Sequence, residues 1–339
     1  MKIFFQFFCF FAAFSLLSCL GTYSIGDGSC QLVNNNVAKT VYVDWRGGGD
    51  FKSIQAAINT VPAGNTQWIR IHVTSGTEKV NINYTQNCIV LEGKGRTRTI
   101  ISWKDSLDTL SDDFSNDGGT AGTATFTSGA DDFVARKIAF VNAYDIKKGM
   151  KRAVAALLYG DRYAFYECGF SSGQDTLADF RGRHYFSQCY IEGAIDFIFG
   201  GAQSLYENCI LQVNARPNQV INGAITANGR ESDGDPSGYV FKYCEVFGTG
   251  RVYLGRAWRA FSRVIYSHCN MTDVVADVGW NSWKNSERNI FYGEYNNVGA
   301  GADMSKRVPW VVHLSGVQDA QFTGIKFIDT DGWIGRQPY

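Results

Sequence analysis

An all-β solenoid, a parallel β-helix with short capping helices, is the fold class that this 339-residue sequence predicts. The first observation is a repeat. Six segments, 135–140, 164–170, 185–191, 205–211, 240–246 and 264–271, share aromatic or aliphatic residues around a small buried position. The second is their phase. With Ile138, Cys168, Cys189, Cys209, Cys244 and Cys269 as markers, the spacings are 30, 21, 20, 35 and 25 residues. Such a period suits stacked coils that cannot bury their apolar faces alone, with loops of unequal length leaving the corners.

Taken in chain order, residues 1–22 begin with one early positive charge and a Phe-rich apolar run, the pattern of a secretory signal peptide. A membrane anchor is the alternative, but the run is short and no stop-transfer flank follows. Residues 23–37 are polar and irregular, a leader ahead of one domain expected over 38–339. A first strand is expected over 40–44. Asp50 then caps a helix whose apolar positions Ile54, Ala57, Ile58 and Val61 keep helical spacing before Pro62 stops it. That helix would close an otherwise bare β-helix end. Further strands are expected over 68–74, 80–82, 88–92 and 99–103, and one more over 322–328. The Gly47-Gly-Gly49 run reads as a turn, because no Lys-Ser/Thr follows it to make a phosphate cradle.

Composition narrows the function. There are 32 basic and 32 acidic side chains, a formal net charge of zero, so no basic stripe argues for nucleic acid and no acidic block for a disordered tail. Beyond the signal segment seven cysteines remain; their regular placement on strands reads as stacked, buried small hydrophobes, and an odd number leaves at least one free thiol in a monomer. No cysteine or histidine spacing marks a metal site, and no cofactor is expected. Asp113-x-Ser115-x-Asp117-Gly118 superficially has the look of a calcium loop, but Ala124 stands where the bidentate Glu belongs, so a solvated loop is expected. Asn83-Tyr-Thr85 and Asn270-Met-Thr272 are glycosylation sequons.

The candidate chemistry sits in two of the repeats. Asp175 and Asp196 are 21 residues apart, each seven residues after a cysteine. If the register holds, their carboxylates face each other one coil apart, where neighbouring strands lie about 4.8 Å apart. Two carboxyls that close titrate unequally, which suits a hydrolase that needs one acid and one nucleophile. The plainer reading has both aspartates capping turns at coil corners. Gln174 offers an amide N–H to a developing oxyanion, and Arg256 is placed to hold one aspartate as its carboxylate. Phe199, Trp258 and Trp280 supply ring faces suited to sugars. No nucleophile elbow is present, and His72, His184, His268 and His313 lack a catalytic or zinc context.

The segments Ser172-Gly-Gln-Asp-Thr-Leu177, Tyr190-Ile-Glu-Gly-Ala-Ile-Asp-Phe-Ile-Phe-Gly-Gly-Ala202 and Leu254-Gly-Arg-Ala-Trp258 closely resemble the signatures of plant pectin methylesterases. Thr226-Ala-Asn-Gly-Arg230, Gly279-Trp-Asn-Ser-Trp283 and Tyr292-Gly-Glu-Tyr-Asn-Asn297 are similar to the family's weaker motifs. The resemblance spans about residues 38–339 and is to forms lacking the long N-terminal inhibitor-like pro-domain. It implies a right-handed parallel β-helix, secretion to the plant cell wall, no metal, and methyl-esterified homogalacturonan as substrate. It also implies Asp196 as nucleophile, Asp175 as acid and then base, Gln174 as oxyanion donor, Arg256 as the residue orienting Asp196, and Phe199, Trp258 and Trp280 as cleft aromatics. A proteinaceous pectin methylesterase inhibitor is an implied partner.

Three positions depart from the family pattern. Arg152 replaces a Gln that is normally an oxyanion donor, so it either donates in that Gln's place or obstructs the site. Ala178 stands where an aromatic usually follows Asp-Thr-Leu. The segment Gly76-Thr-Glu78 lacks the usual Tyr. The leading expectation is therefore a carboxylic ester hydrolase releasing methanol from pectin. Its rivals are a catalytically weakened pectin-binding or inhibitor-sequestering protein, motivated by Arg152, and a calcium-dependent pectate lyase.

Overall fold

The computed structural model describes residues 30–338 apart from residues 35, 108–118, 218–220 and 222. The signal segment expected over 1–22, and most of the calcium-like pattern at 113–118, lie outside the described residues. Three parallel sheets of eleven, eight and eight strands wind into a right-handed β-helix in which each strand pairs with the equivalent strand one coil away. A typical coil runs through Tyr163–Tyr166, Gly169–Ser171 and Leu177–Asp179, and the next through Arg183–Ser187, Tyr190–Gly193 and Ile198–Gly200.

The six repeated segments each span a corner. The residue before each phase marker (Lys137, Glu167, Gln188, Asn208, Tyr243 and His268) has a left-handed φ between +53° and +56°. That conformation is uncommon for residues other than glycine. Here it is held by a coil-to-coil ladder in which the amides of Glu167, Gln188, Asn208 and Tyr243 donate to the carbonyls of Ser187, Glu207, Lys242 and Ser267. The five repeat cysteines follow immediately, in the corners rather than on strands as the sequence reading had them. They are buried free thiols, and burial pushes those of Cys189, Cys209, Cys244 and Cys269 well up, so they pack as inert small groups. The remaining two, Cys30 and Cys88, form a disulfide that ties the segment ahead of the first strand to the barrel end.

Inside the solenoid, register turns repeats into stacks. Phe165, Phe186, Tyr206, Phe241 and Tyr266 pair in sequence across five coils, with ring centres 4.4–4.9 Å apart and planes within 17° of parallel. Buried polar groups are satisfied in place. The ring nitrogens of His184 lie 2.5 Å from Asp179 Oδ1 and 2.9 Å from the Gly160 carbonyl, while the Tyr206 hydroxyl donates to Asp179 Oδ2 at 2.7 Å. His184 is thus a core residue.

The N-terminal end is closed as expected by a helix, Ile54–Ile58, which buries Ile54, Ala57 and Ile58. Its cap is Ser53, whose Oγ accepts from the Ala56 amide; Asp50 instead accepts from the Tyr42 amide, so the expected cap lay three residues too early. Glu78 completes the cap by accepting from Ser53 Oγ and the Ile54 and Gln55 amides. The first strand runs Lys39–Val43, and the next four match their expected positions to within one residue.

The strand expected over 322–328 is not one. Ser315 and Gln318 form a reciprocal capping box that starts a helix, Gly316–Thr323, followed by a 3-10 turn, Ile325–Phe327. The apolar residues of this tail cover the outer face of the largest sheet, where Leu314, Ile328 and Trp333 pack with Ala164, Leu205, Val240 and Ile265.

Phe186 sits in the middle of the aromatic stack and is fully buried. Truncating it to Ala is expected to cost about 3–5 kcal/mol in urea unfolding. A loss below about 1 kcal/mol would show that the stack contributes little to stability.

Candidate active site

The second corner of each coil carries the two aspartates. Gln174 bridges in parallel register to Arg152 on one side and to Ile195 on the other, which places Ala153, Asp175 and Asp196 in one file. Asp175 and Asp196 have φ of +60° and +48°, and Asp tolerates this left-handed region better than most residues. Their amides are held by the carbonyls of Ile195 at 3.0 Å and Ala224 at 2.7 Å. The plainer reading, aspartates at coil corners, is therefore correct about position. It is incomplete about environment, because both carboxyls open into a cleft.

One face of the adjoining strands forms the cleft floor. Leu157, Ala178, Phe199, Ala227, Arg256 and Asn281 are successive register partners. Because side chains alternate, Arg256 points out while Gly255 points in, and Trp280, the partner of Gly255, points in too. Trp280 fills the space glycine leaves: a Cβ on Gly255 would sit 2.9 Å from its indole. It is 1% exposed, stacks on Tyr292 and donates its Nε1–H to Glu294 at 2.9 Å. Trp280 is consequently a core residue, and its assignment to the substrate cleft is corrected. The tryptophan that reaches the cleft is Trp283, 40% exposed, with the Arg256 guanidinium 3.8 Å from its ring centre.

Phe199 and Trp258 do line the cleft, meeting edge to face at 6.2 Å. Phe180 extends this wall by contacting Trp258 at 6.0 Å and Tyr159 at 5.1 Å. Neither Tyr159 nor Phe180 stood out in the sequence, although Phe180 shares a face with Ala178 two residues earlier. It supplies an aromatic next to the position where Ala178 lacks one. Glu78, in the third departing segment, is accounted for by its helix cap.

The cleft encloses about 590 Å3 and brings together Arg152, Gln174, Asp175, Asp196 and Arg256. Arg256 Nε donates to Asp196 Oδ1 at 2.7 Å and its Nη2 donates to Oδ2, a two-pronged grip that fixes the carboxylate. Burial pushes both carboxyls up. Asp175 reaches about 7, first through burial and then through the charge of Asp196, with Arg152, Arg256 and the Gln174 amide pulling less strongly down. Asp196 is also raised by burial, against the pull of Arg256, so it is not depressed as the unequal-pair argument anticipated. The inequality survives, because the clamp belongs to Asp196. Arg152 is exposed and makes no side-chain hydrogen bond or ion pair among the described residues. No group of three or more His, Cys, Asp or Glu side chains converges as a metal site among the described residues.

A sequence profile described as pectinesterase matches residues 40–331. The chain is 40% identical over 331 residues to putative pectinesterase 10 of Arabidopsis thaliana, covering 94% of each. Among solved structures, a pectin methylesterase from carrot superposes with a TM-score of 0.79 at 30% identity, covering 88% of this chain and 96% of that one. A pectin methylesterase in complex with a hexasaccharide superposes with a TM-score of 0.74 at 26% identity, covering 85% and 96%.

The raised Asp175 carboxyl predicts a pH dependence of stability. Its folded value of about 7 exceeds the ordinary 3.8, so folding favours the protonated form. That contribution is complete below pH 3.8 and is lost as pH rises through about 7. Unfolding free energy is expected to fall by about 2–3 kcal/mol from pH 5 to pH 8, at roughly 1.4 kcal/mol per unit. Asp175→Asn should remove most of this slope. An equally steep slope in that variant would place the responsible group elsewhere.

Proposed function

The chain belongs to the pectinesterase family, and on that premise we propose that it demethylates homogalacturonan with Asp196 as nucleophile and Asp175 as acid and base. The observation that supports this division of roles is the grip of Arg256 on Asp196 beside an Asp175 that still holds its proton near neutrality. Asp196, oriented by Arg256, attacks the C6 carbonyl carbon of a galacturonate methyl ester. The carbonyl oxygen becomes an oxyanion, for which the Gln174 amide and the Arg152 guanidinium are the donors at hand. As the tetrahedral centre collapses, Asp175 gives its proton to the departing methoxide and methanol leaves. The acyl-enzyme is a mixed anhydride between Asp196 and the uronate. Asp175, now a carboxylate, takes a proton from water; the hydroxide adds to the uronate carbonyl and expels Asp196. Asp175 is left protonated for the next cycle.

One way in which Arg152 would weaken the enzyme is by being drawn onto Asp196. Arg256 occupies that role, and Arg152 makes no hydrogen bond or ion pair with either carboxyl, although its charge acts on Asp175. This favours Arg152 as a donor over Arg152 as an obstruction. The hexasaccharide in the complexed relative fits an extended polymer lying over Phe199, Trp258 and Trp283. The Cys30–Cys88 disulfide suits an oxidising, extracellular setting such as the cell wall.

Asp196→Asn should retain the fold, since it keeps the shape, and lose methanol release from esterified pectin by at least about 1000-fold. Near-native turnover in the folded variant would remove Asp196 from the nucleophile role. Arg152→Gln tests the donor: each donor contributes about 100- to 1000-fold, so a replacement that still donates should keep turnover within about tenfold, whereas Arg152→Ala should lose about 100-fold or more. Unimpaired turnover in Arg152→Ala would show that Arg152 does not serve the oxyanion.

A further inference from the structure

Charge is unevenly spread along a chain whose total is zero. Residues 30–105 carry nine Lys or Arg against five Asp or Glu, whereas residues 106–339 carry 22 against 26. The five carboxylates of the first coils are all engaged. Asp44 and Asp50 accept from the Arg46 and Tyr42 amides, Glu78 caps the helix Ile54–Ile58, Glu92 lies 3.3 Å from Arg70, and Asp105 pairs with Lys79. Lys52, Arg98 and Lys104 are exposed, and their side chains make no hydrogen bond or ion pair among the described residues. On this cationic end an open basin of about 670 Å3 lies against the short strands Gly76–Thr77 and Ile100–Trp103, which pair with each other. Trp45, 58% exposed, and Ile100, 39% exposed, line it together with Ser75, Thr77 and Ser102. Lys52 lines it too, its stem running over the Gly47 turn, where a Cβ would sit 3.2 Å from Lys52 Cε. The segment Gly76-Thr-Glu78, which lacks the family's usual Tyr, forms part of this lining, and no lining residue is shared with the catalytic cleft.

We propose that this basin is a second carbohydrate site, separate from the cleft, which holds a de-esterified stretch of polyuronate and anchors the protein to its polymer. The identity of the polymer rests on the pectin esterase reading; the surface does not. Within the basin only Glu78 is acidic, and both its oxygens are taken by Ser53 Oγ and the Ile54 and Gln55 amides, so the ammonium of Lys52 is its unbalanced charge. A galacturonate unit offers both halves of the matching chemistry. Its ring has an apolar face for the exposed Trp45 indole, its carboxylate suits Lys52, and its hydroxyls suit Ser75, Thr77 and Ser102. The surplus cations at this end attract a polyanion and leave a neutral polymer indifferent. The strand Val80–Ile82, which follows Gly76-Thr-Glu78, is the end strand of the cleft-floor sheet, two strands from the one that carries Leu157. That is about 10 Å, so one polymer chain can be held here while another part of it enters the cleft. Such tethering raises the local concentration of esters at the cleft.

Two-dimensional NMR of the full protein reads the site through the Trp45 indole N–H signal, assigned by its loss in Trp45→Phe, whatever the cleft binds. A fully de-esterified galacturonate oligomer should shift that signal. Lys52→Gln should weaken the affinity read there about tenfold with the urea unfolding midpoint unchanged, Lys52→Arg should keep most of it, and added salt should lower it. A signal that stays put, one that moves equally with a fully methyl-esterified oligomer, or an affinity untouched by Lys52→Gln overturns the proposal. Methanol release tests the anchor. In Trp45→Ala, KM for long, partly de-esterified homogalacturonan should rise several-fold with kcat unchanged, while KM for a short esterified oligomer stays the same. Equal changes on both substrates, or none on the polymer, overturn it. If the wild type releases no methanol while the Trp45 signal still shifts and Lys52→Gln still weakens binding, the site is supported and the esterase reading alone fails.

Discussion

Coil-to-coil register is the constraint on which the rest of this structure depends. Each corner asks an ordinary residue to adopt a left-handed φ, and it does so because the next coil supplies a carbonyl at the place its amide needs one. Once that ladder is set, residues about one coil apart are stacked without further specification. The rings from Phe165 to Tyr266 fall into a column, the thiols from Cys168 to Cys269 into another, and Asp175 onto Asp196 into a third. Two of these columns stabilise the barrel. The third brings like charges together, and the fold that tolerates it is large and rigid enough to hold a locally unfavourable pair.

The chemistry follows from how unevenly the surroundings treat that pair. Both carboxyls lose water, but only Asp196 receives a two-pronged guanidinium partner, delivered from two coils further on by the strand Tyr253–Ala257. Asp175 receives the charge of Asp196 instead, and keeps a proton to about 7. A clamped carboxyl and a proton-holding one are thus made from the same residue type in the same backbone conformation, by neighbours alone, which is the inequality the proposed mechanism uses. The cleft aromatics come from the same alternation. On the strand carrying Arg256, that side chain opens into the cleft while Leu254 and Ala257 are core.

Much of this was legible in the sequence, for reasons that the details expose. The spacing of the cysteines revealed the coil repeat and the pairing of Asp175 with Asp196, because register is periodic and periodicity survives in sequence. Gln174 was legible because it adjoins Asp175, and Arg256 because it lies in the Leu254-Gly-Arg-Ala-Trp258 segment. Trp280 was misplaced because a motif with two tryptophans does not say which faces inward; the alternation from Arg256 through its register partner Asn281 would have pointed Trp280 into the core. Phe180 and Tyr159 follow the register partners Asp179 and Leu158 and so keep the coil period, but they lie outside the six repeated segments that the sequence reading followed. Residues 322–328 were mistaken for a strand because a short apolar run is ambiguous by itself; they hold the end of the helix Gly316–Thr323, which the Ser315–Gln318 capping box starts, and the 3-10 turn Ile325–Phe327. The disulfide joins Cys30 and Cys88, which belong to no repeat, so spacing alone could not pair them.

The central claim is that register couples two carboxyls unequally. Carbon-13 NMR titration of the aspartate carboxyls, in the wild type and in Asp196→Asn, tests it most directly. One carboxyl, assigned to Asp175 by its loss in Asp175→Asn, should titrate near 7 in the wild type. In Asp196→Asn its midpoint should move down, because a charge that opposed its ionisation is gone, yet remain above the ordinary carboxylate value because burial persists. A midpoint near the ordinary value in the wild type, or one unchanged by Asp196→Asn, would contradict the account.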